Sequence, residues 1–345
     1  MATSDRVSVM RGYAITLINI ILTLASMSWA SSDAPTGATE PTAPLYPADL
    51  LQISSTDAFS KYVMLVDKGS RKLMVFERDG ETIRLLEEVP ADIGKKGGNK
   101  ERENDHRTPE GIYFFQEKLA SPAIPFNLYG KMAFTTDYPN VFDRRLKKTG
   151  HGIWLHSIPE TVPLTRGSRG CVVIRNEALA RVENYIKMKQ TPIIIYDKLE
   201  YVTKAEHDHR RTELAQWIEG WRQAWESKDT EKYLSFYSPD FSAPGFKDFG
   251  RWEKHKARLA KNYADIKVSF SQPFLLRHKD QLIIKTLQKY QSDQYTDYGV
   301  KVIHAVRTDS GYKIIREEWT KADERGEESP ALISEHPNAA SPHPN

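Results

Sequence analysis

Gly152-Ile153-Trp154-Leu155-His156-Ser157 and, eleven residues on, Ser168-Arg169-Gly170-Cys171 are the two stretches from which this chain is best read. Cys171 is its single cysteine, fifteen positions after His156. A thiolate attacks a carbonyl only when a neighbour takes its proton or lowers its pKa, and an imidazole is the side chain best matched to that task near neutral pH. A lone cysteine is more often a small buried hydrophobe. Cys171, however, lies in a polar, glycine-bearing loop rather than in an apolar element. Arg169 sets a cation beside the thiol, and Gly170 allows the tight backbone through which N–H groups at Gly170 and Cys171 converge on a developing oxyanion. Ser168 adds a donor or orients the loop. An activated thiol of this kind is expected to react with iodoacetamide well below pH 8, whereas an inert one keeps a value of about 8.5.

His156 follows a short strand-like run and projects from the strand end toward the loop of Cys171. His151 has the opposite strand parity, so it is given a supporting or substrate-facing role at most. Trp154 shares the parity of His156; it either walls the pocket or packs in the core.

Moving outward, residues 1–30 read as an export signal: Arg6 and Arg11, an apolar run from Tyr13 to Leu24, then Ser28-Trp29-Ala30 at the cleavage positions. A periplasmic protein is expected, with an uncleaved membrane anchor as the alternative. In an oxidising compartment a sole cysteine has no intramolecular partner, so Cys171 is no structural disulfide. Residues 31–57, beginning with the Pro/Thr/Ala/Gly-rich stretch Ala34 to Pro47, read as a flexible linker. The net charge of +3 argues against a dedicated nucleic-acid binder, and 39% hydrophobic residues are enough for ordinary cores.

Strands are predicted at 62–67, 72–77 and 82–89, joined by Lys68-Gly69-Ser70 and Asp79-Gly80. A polar loop, Gly94 to Arg107, reads as too charged to be core and leads into Thr108-Pro109-Glu110-Gly111 and a strand at 112–116. Asn176 to Lys189 has helical spacing with Asn176 as N-cap, and 192–196 is a buried strand. This makes a mainly β domain over 58–198. Beyond it, Leu214, Trp217, Ile218, Trp221 and Trp225 lay a stripe on one face of a helix over 206–227, and a shorter helix is read at 251–265. Strands are read at 266–276, 281–291, 298–308 and 312–320, and an α+β domain over 199–322 results. Its order, with Tyr233-Leu234-Ser235-Phe236-Tyr237-Ser238-Pro239-Asp240-Phe241, resembles the cone-shaped fold of the nuclear transport factor and SnoaL-like superfamily. Trp221, Trp225, Tyr233 and Tyr237 are candidates to line a pocket there for binding rather than catalysis. Residues 323–345 read as a disordered tail.

Papain-like and NlpC-type hydrolases place the cysteine before the histidine, the reverse of the order here. The motifs instead resemble the YkuD-type L,D-transpeptidases: His156-Ser157 for the H-[GS] step, Ser168-Arg169-Gly170-Cys171 for [ST]-x-G-C, and Thr108-Pro109-Glu110-Gly111 for T-P-x-G. The resemblance implies a β-sandwich-like catalytic domain acting on peptidoglycan stem peptides, with Cys171 forming a thioester at the L-centre of the third residue and His156 as base, oriented by a backbone carbonyl. It further implies an oxyanion hole at the Gly170 and Cys171 N–H groups. Many members carry a histidine before the glycine and an arginine two residues after the cysteine, where this chain has Arg169 and Val173. The substrate carboxylate then falls to Arg166, Arg169 or Arg175, since guanidinium groups pair well with carboxylates.

The cone-shaped second domain makes the chain look like the subgroup that sets cell shape by trimming tetrapeptide stems to tripeptides. Transfer of the acyl group to an amine acceptor and its hydrolysis by water share the first half-reaction, and both stay open at this point. A non-catalytic wall-binding scaffold is the alternative from another class, and the second domain is a candidate for binding a wall-associated protein. No cofactor or metal is implied: His207-x-His209 is the sole suggestive spacing, in a charged run read as solvent-exposed.

Overall fold

Apolar runs long enough to be buried on both faces decide how the chain packs. The computed structural model describes residues 44–322. The expected signal, the start of the linker and the tail from 323 onward lie outside the described residues. The chain runs through β1 (Leu45–Pro47), β2 (Leu50–Gln52), β3 (Tyr62–Asp67), β4 (Lys72–Asp79), β5 (Thr82–Pro90), β6 (Gly111–Ala120), α1 (Phe126–Tyr129), β7 (Met132–Thr136) and α2 (Val141–Arg145). Then come β8 (Trp154–Ile158), β9 (Val172–Arg175), α3 (Asn176–Val182) and β10 (Pro192–Tyr196). The second lobe comprises β11 (Tyr201–Thr203), α4 (Lys204–Glu226), α5 (Thr230–Leu234), β12 (Tyr237–Ser242), α6 (Phe249–Asn262), β13 (Ile266–Phe270), β14 (Phe274–His278), β15 (Gln281–Ser292), β16 (Thr296–Thr308) and β17 (Gly311–Lys321).

The first lobe is one eight-stranded sheet in the order β5-β4-β3-β10-β6-β7-β8-β9. It bends at a register shift between Phe115 and Lys118 on β6, and its ends meet where Asp92, just past β5, bridges Val173 on β9. β3 and β10 show why central strands read as unbroken apolar runs. Met64, Val66, Ile193 and Ile195 face the inner core of this lobe, whereas Val63, Leu65, Ile194 and Tyr196 face a second core on the other side. That second core is shared. Across it stand Phe274, Leu276, Ile283, Val300 and Ile315 from the sheet of the second lobe, so the two lobes pack sheet to sheet. The opposite face of the second sheet, with Leu282, Ile284, Ile303 and Ile314, holds α4 through Leu214 and Trp221. Thr203 caps α4 by accepting the Glu206 N–H, and the stripe read from the sequence is its buried face.

Four expectations change. The linker read up to residue 57 is structured from β1 onward: Leu50, Leu51 and Ile53 are buried, β2 pairs with β14 and β1 with β11. Leu50-Leu51 and Ile53 supply apolar side chains to both cores, which a solvated tether lacks. His207 is buried rather than solvent-exposed, its Nε2 donating to the Leu50 carbonyl at 2.8 Å. The strand read over 266–276 is split into β13 and β14, because Pro273 has no N–H to give and the chain turns there. Finally, α3 stops at Val182, and Asn176 does not cap it; its Oδ1 accepts the Lys131 N–H at 2.9 Å.

Leu50 is fully buried at the junction of the lobes. Leu50→Ala is expected to lower unfolding stability by about 2–5 kcal/mol in denaturant titration; an unchanged midpoint would show that the N-terminal strands are dispensable.

Candidate active site

Strands β8 and β9 run parallel, and their register sets His156 beside Val173. Cys171 lies two residues before Val173, so its side chain emerges on the face that carries His156 and Trp154. The structure therefore brings the two sequence-predicted residues to one site, though His156 sits mid-strand rather than at a strand end. His156 is 3% exposed, and its Nδ1 lies 2.8 Å from the Ser157 carbonyl oxygen. With Nδ1–H donating there, Nε2 carries the free lone pair. The half-buried thiol of Cys171 donates to the Gly152 carbonyl at 3.5 Å.

The nucleophile turn is braced from inside. Ser168 Oγ donates to the Cys171 carbonyl (2.7 Å) and accepts the Gly170 N–H (3.0 Å), so it orients the loop. That second bond withdraws the Gly170 N–H from the oxyanion hole, correcting one expectation. Gly170 itself is required for space and conformation: its φ is +135°, and a Cβ there would stand 2.7 Å from the Arg107 carbonyl. Arg107 ends the polar loop 94–107, which is largely exposed, as its charge implied, but leans on the nucleophile turn at its ends. Lys95 N–H donates to the Ser168 carbonyl, and Lys100, 3% exposed, is paired with Asp105 at 2.8 Å.

Residues not singled out from the sequence complete the site. Asp92, 2% exposed, accepts the Gly167 N–H at 2.6 Å and the Ile93 N–H at 2.9 Å, and pairs with Arg71. A charged residue directly after a strand and before Gly94 was the only available signal. Tyr129 lies edge-on to the His156 ring at 5.1 Å and against Trp154 at 4.9 Å, which groups the three rings on one face. Ser157, the second half of the His-Ser step, accepts the Lys131 N–H at 3.0 Å and so fixes the segment bearing Tyr129.

The arginines separate. Arg175 is committed to carbonyls, 3.1 Å from Pro159 and 2.7 Å from Val162, and to Glu160, which removes it as a carboxylate anchor. Arg166 and Arg169 are exposed. His151 lies before β8 rather than in it and is exposed, 3.8 Å from Glu103, so strand parity does not apply to it. Among the described residues no group of three or more His, Cys, Asp or Glu could hold a metal ion, and no helix is long and apolar enough to cross a membrane.

Residues 61–195 match the L,D-transpeptidase catalytic domain YkuD, and residues 213–318 match the Cds6 C-terminal NTF2-like domain. Bd1075 of Bdellovibrio bacteriovorus has a solved structure 58% identical over 81% of this chain and 100% of that one, with a TM-score of 0.76. The chain belongs to the YkuD L,D-transpeptidase family, in the branch with a C-terminal NTF2-like domain. Pgp2 of Campylobacter jejuni, described as a helical cell shape determining protein, is 26% identical over 78% of this chain and 95% of its own, with a TM-score of 0.62. A comparison with curated proteins finds no match.

In this L,D-transpeptidase-family site burial favours the neutral form of both groups. Burial pushes the Cys171 thiol up to about 11, against the opposing pull of the Trp154 N–H and the Lys100 charge. Burial also brings His156 down to about 4, with the Ser157 carbonyl acting the other way, Arg166 adding to the drop and Asp92 opposing it. Arg169 is exposed, and the cation that lowers the thiol is Lys100 instead, with desolvation acting against it.

Two consequences are measurable. The folded chain leaves His156 unprotonated from its ordinary 6.5 down to about 4, so its contribution to stability falls as pH drops through that window. It keeps the Cys171 proton from the ordinary 9.0 up to about 11, so stability falls again as pH rises through that one. Iodoacetamide rates against pH should accordingly show a midpoint near 11 for the free protein; a midpoint below about 8 would contradict the neutral pair.

Proposed function

We propose that the chain is a peptidoglycan L,D-carboxypeptidase that trims tetrapeptide stems to tripeptides through a Cys171 thioester. The observation that carries the chemistry is the shared face of His156 and Cys171, with the imidazole tautomer set by the Ser157 carbonyl. His156 Nε2 takes the thiol proton as Sγ attacks the carbonyl carbon at the L-centre of the third residue. The C–N bond then breaks, and His156 returns the proton to the departing amine of the terminal D-amino acid. Water next attacks the thioester, giving its proton to His156 and, as the C–S bond breaks, restoring the thiol. Because both groups rest neutral, proton transfer accompanies attack. The Cys171 N–H is assigned to the oxyanion, with the Gly170 N–H tied to Ser168.

Arg166 is assigned the stem carboxylate: it is exposed at the mouth of the loop and its charge reaches His156, whereas Arg175 is engaged elsewhere. Water is favoured as the acceptor because the chain joins its catalytic domain to a C-terminal NTF2-like domain, the combination that resembles the stem-trimming subgroup. The likeness to a cell shape determining protein supports the same reading. Transfer to an amine acceptor, the reaction for which the family is named, is the second reading.

Mass spectrometry of the protein with disaccharide-tetrapeptide decides between them: tripeptide alone supports trimming, cross-linked dimer supports transfer. Cys171→Ala is expected to remove either product and Cys171→Ser to leave little, since a hydroxyl is far less ionised than a thiol; turnover by Cys171→Ala would sink the thioester route. Arg166→Ala should raise KM by about tenfold with a smaller change in kcat, while an unchanged KM would reassign the carboxylate.

A further inference from the structure

Glu110, in Thr108-Pro109-Glu110-Gly111, is a buried carboxylate for which the reaction has no use. Its side chain is 3% exposed, with Lys68 Nζ 2.7 Å from Oε1 and Lys279 Nζ 2.6 Å from Oε2. Lys68 directly follows β3 and is equally buried; Lys279 comes from the turn between β14 and β15 of the second lobe and is 63% exposed. A carboxylate taken from water needs both oxygens satisfied, and here one donor comes from each lobe.

The same carboxylate is fastened to the loop that leans on the nucleophile turn. Lys68 Nζ also donates to the Gly98 carbonyl at 2.9 Å, and the Glu110 N–H donates to Asn99 Oδ1 at 2.9 Å. Both acceptors lie in the loop 94–107. That loop meets the nucleophile turn through the Lys95 N–H on the Ser168 carbonyl, 3.0 Å, and through the Arg107 carbonyl against Gly170. Thr108 closes the base of the loop by accepting the Gly94 N–H at 2.8 Å. An unbroken series of contacts therefore leads from a lysine of the second lobe to the turn that aims the sulfur.

We propose that Lys279 is a positioning residue for Cys171: the C-terminal lobe sets the geometry of the nucleophile turn through the Lys279–Glu110–Lys68 bridge. Only the turnover arm of its test rests on the carboxypeptidase reading. In the full chain, Lys279→Met is expected to lower kcat on disaccharide-tetrapeptide about fivefold or more with KM held within about twofold. At about pH 9 it should also speed Cys171 alkylation by iodoacetamide roughly threefold, as the loop against the nucleophile turn loosens. Lys279→Arg, which keeps the charge, should restore both. The exposure of Lys279 makes the methionine variant compatible with folding, and its melting curve is read alongside; if it does not fold, Lys279→Gln carries the same expectations. Wild-type alkylation and kcat in the methionine variant overturn the proposal, as does a loss that Lys279→Arg fails to restore. If the wild-type protein turns over no muropeptide, the trimming reading fails while the alkylation arm still decides the role of Lys279.

Discussion

The backbone exchange between Asp92 and Val173 is the constraint on which the site depends. Asp92 N–H donates to the Val173 carbonyl at 2.7 Å and Val173 N–H to the Asp92 carbonyl at 2.8 Å. This pair closes the first sheet on itself, leaving β9 with neighbours on both sides and removing an exposed edge beside the nucleophile. Val173 is also the register partner of His156, so the closure fixes the strand from which the sulfur is presented. The Asp92 carboxylate adds a grip on Gly167 at the start of the nucleophile turn. One buried residue thus connects sheet closure, loop placement and the electrostatics of the histidine.

The strands β3 to β6 and β10 and the aromatic face of α4 were legible because each rests on local pattern; β7 and β9, too short and mixed to stand out, were not. β3 and β10 announce themselves through branched apolar runs, and Leu214 with Trp221 through helical spacing. What escaped depended on partners distant in sequence. The N-terminal strands carry too few residues for periodicity, and Leu50 and Leu51 become interior only against distant elements, β14 more than 200 positions away and α4. Asp92 and Tyr129 are ordinary residues until the fold sets them against Gly167 and His156. Arg175 looked like a substrate anchor because a guanidinium can be assigned a carboxylate in any loop; the carbonyls of Pro159 and Val162 claim it instead.

The second lobe is no detachable appendage. Its sheet contributes one wall of a core whose other wall is β3 and β10, the centre of the catalytic sheet. Cutting the chain after residue 199 would expose Val63, Leu65, Ile194 and Tyr196 together, so loss of activity on truncation cannot by itself identify a binding role for that lobe. Within the lobe, Tyr237 bonds Glu317, which is paired with Lys301 at 2.5 Å, and Trp221 Nε1 donates to Tyr237 at 3.1 Å. Of the aromatic residues read as a pocket lining, Trp221 borders a cavity of about 480 Å³ beside β13 and β14, Trp225 and Tyr233 border a much smaller one, and Tyr237 is interior beside the buried charge pair.

Desolvation governs the chemistry as much as it governs the fold. A thiol raised and an imidazole lowered by the same burial form a pair in which neither charge is stable alone. Charge separation becomes favourable only when both ions appear together and the oxyanion they create is met by an oriented donor. A neutral thiol of this kind is spared from oxidants and adventitious electrophiles, since the reactive thiolate is scarce. In the proposed reaction the constraint then moves from acidity to geometry: with little intrinsic activation of the thiol, the rate would depend on how accurately the turn at Ser168-Arg169-Gly170 presents Cys171 to the bound carbonyl. That dependence fits the buried ties, Asp92 to Gly167 and Ser168 to Gly170, that brace the turn before Cys171.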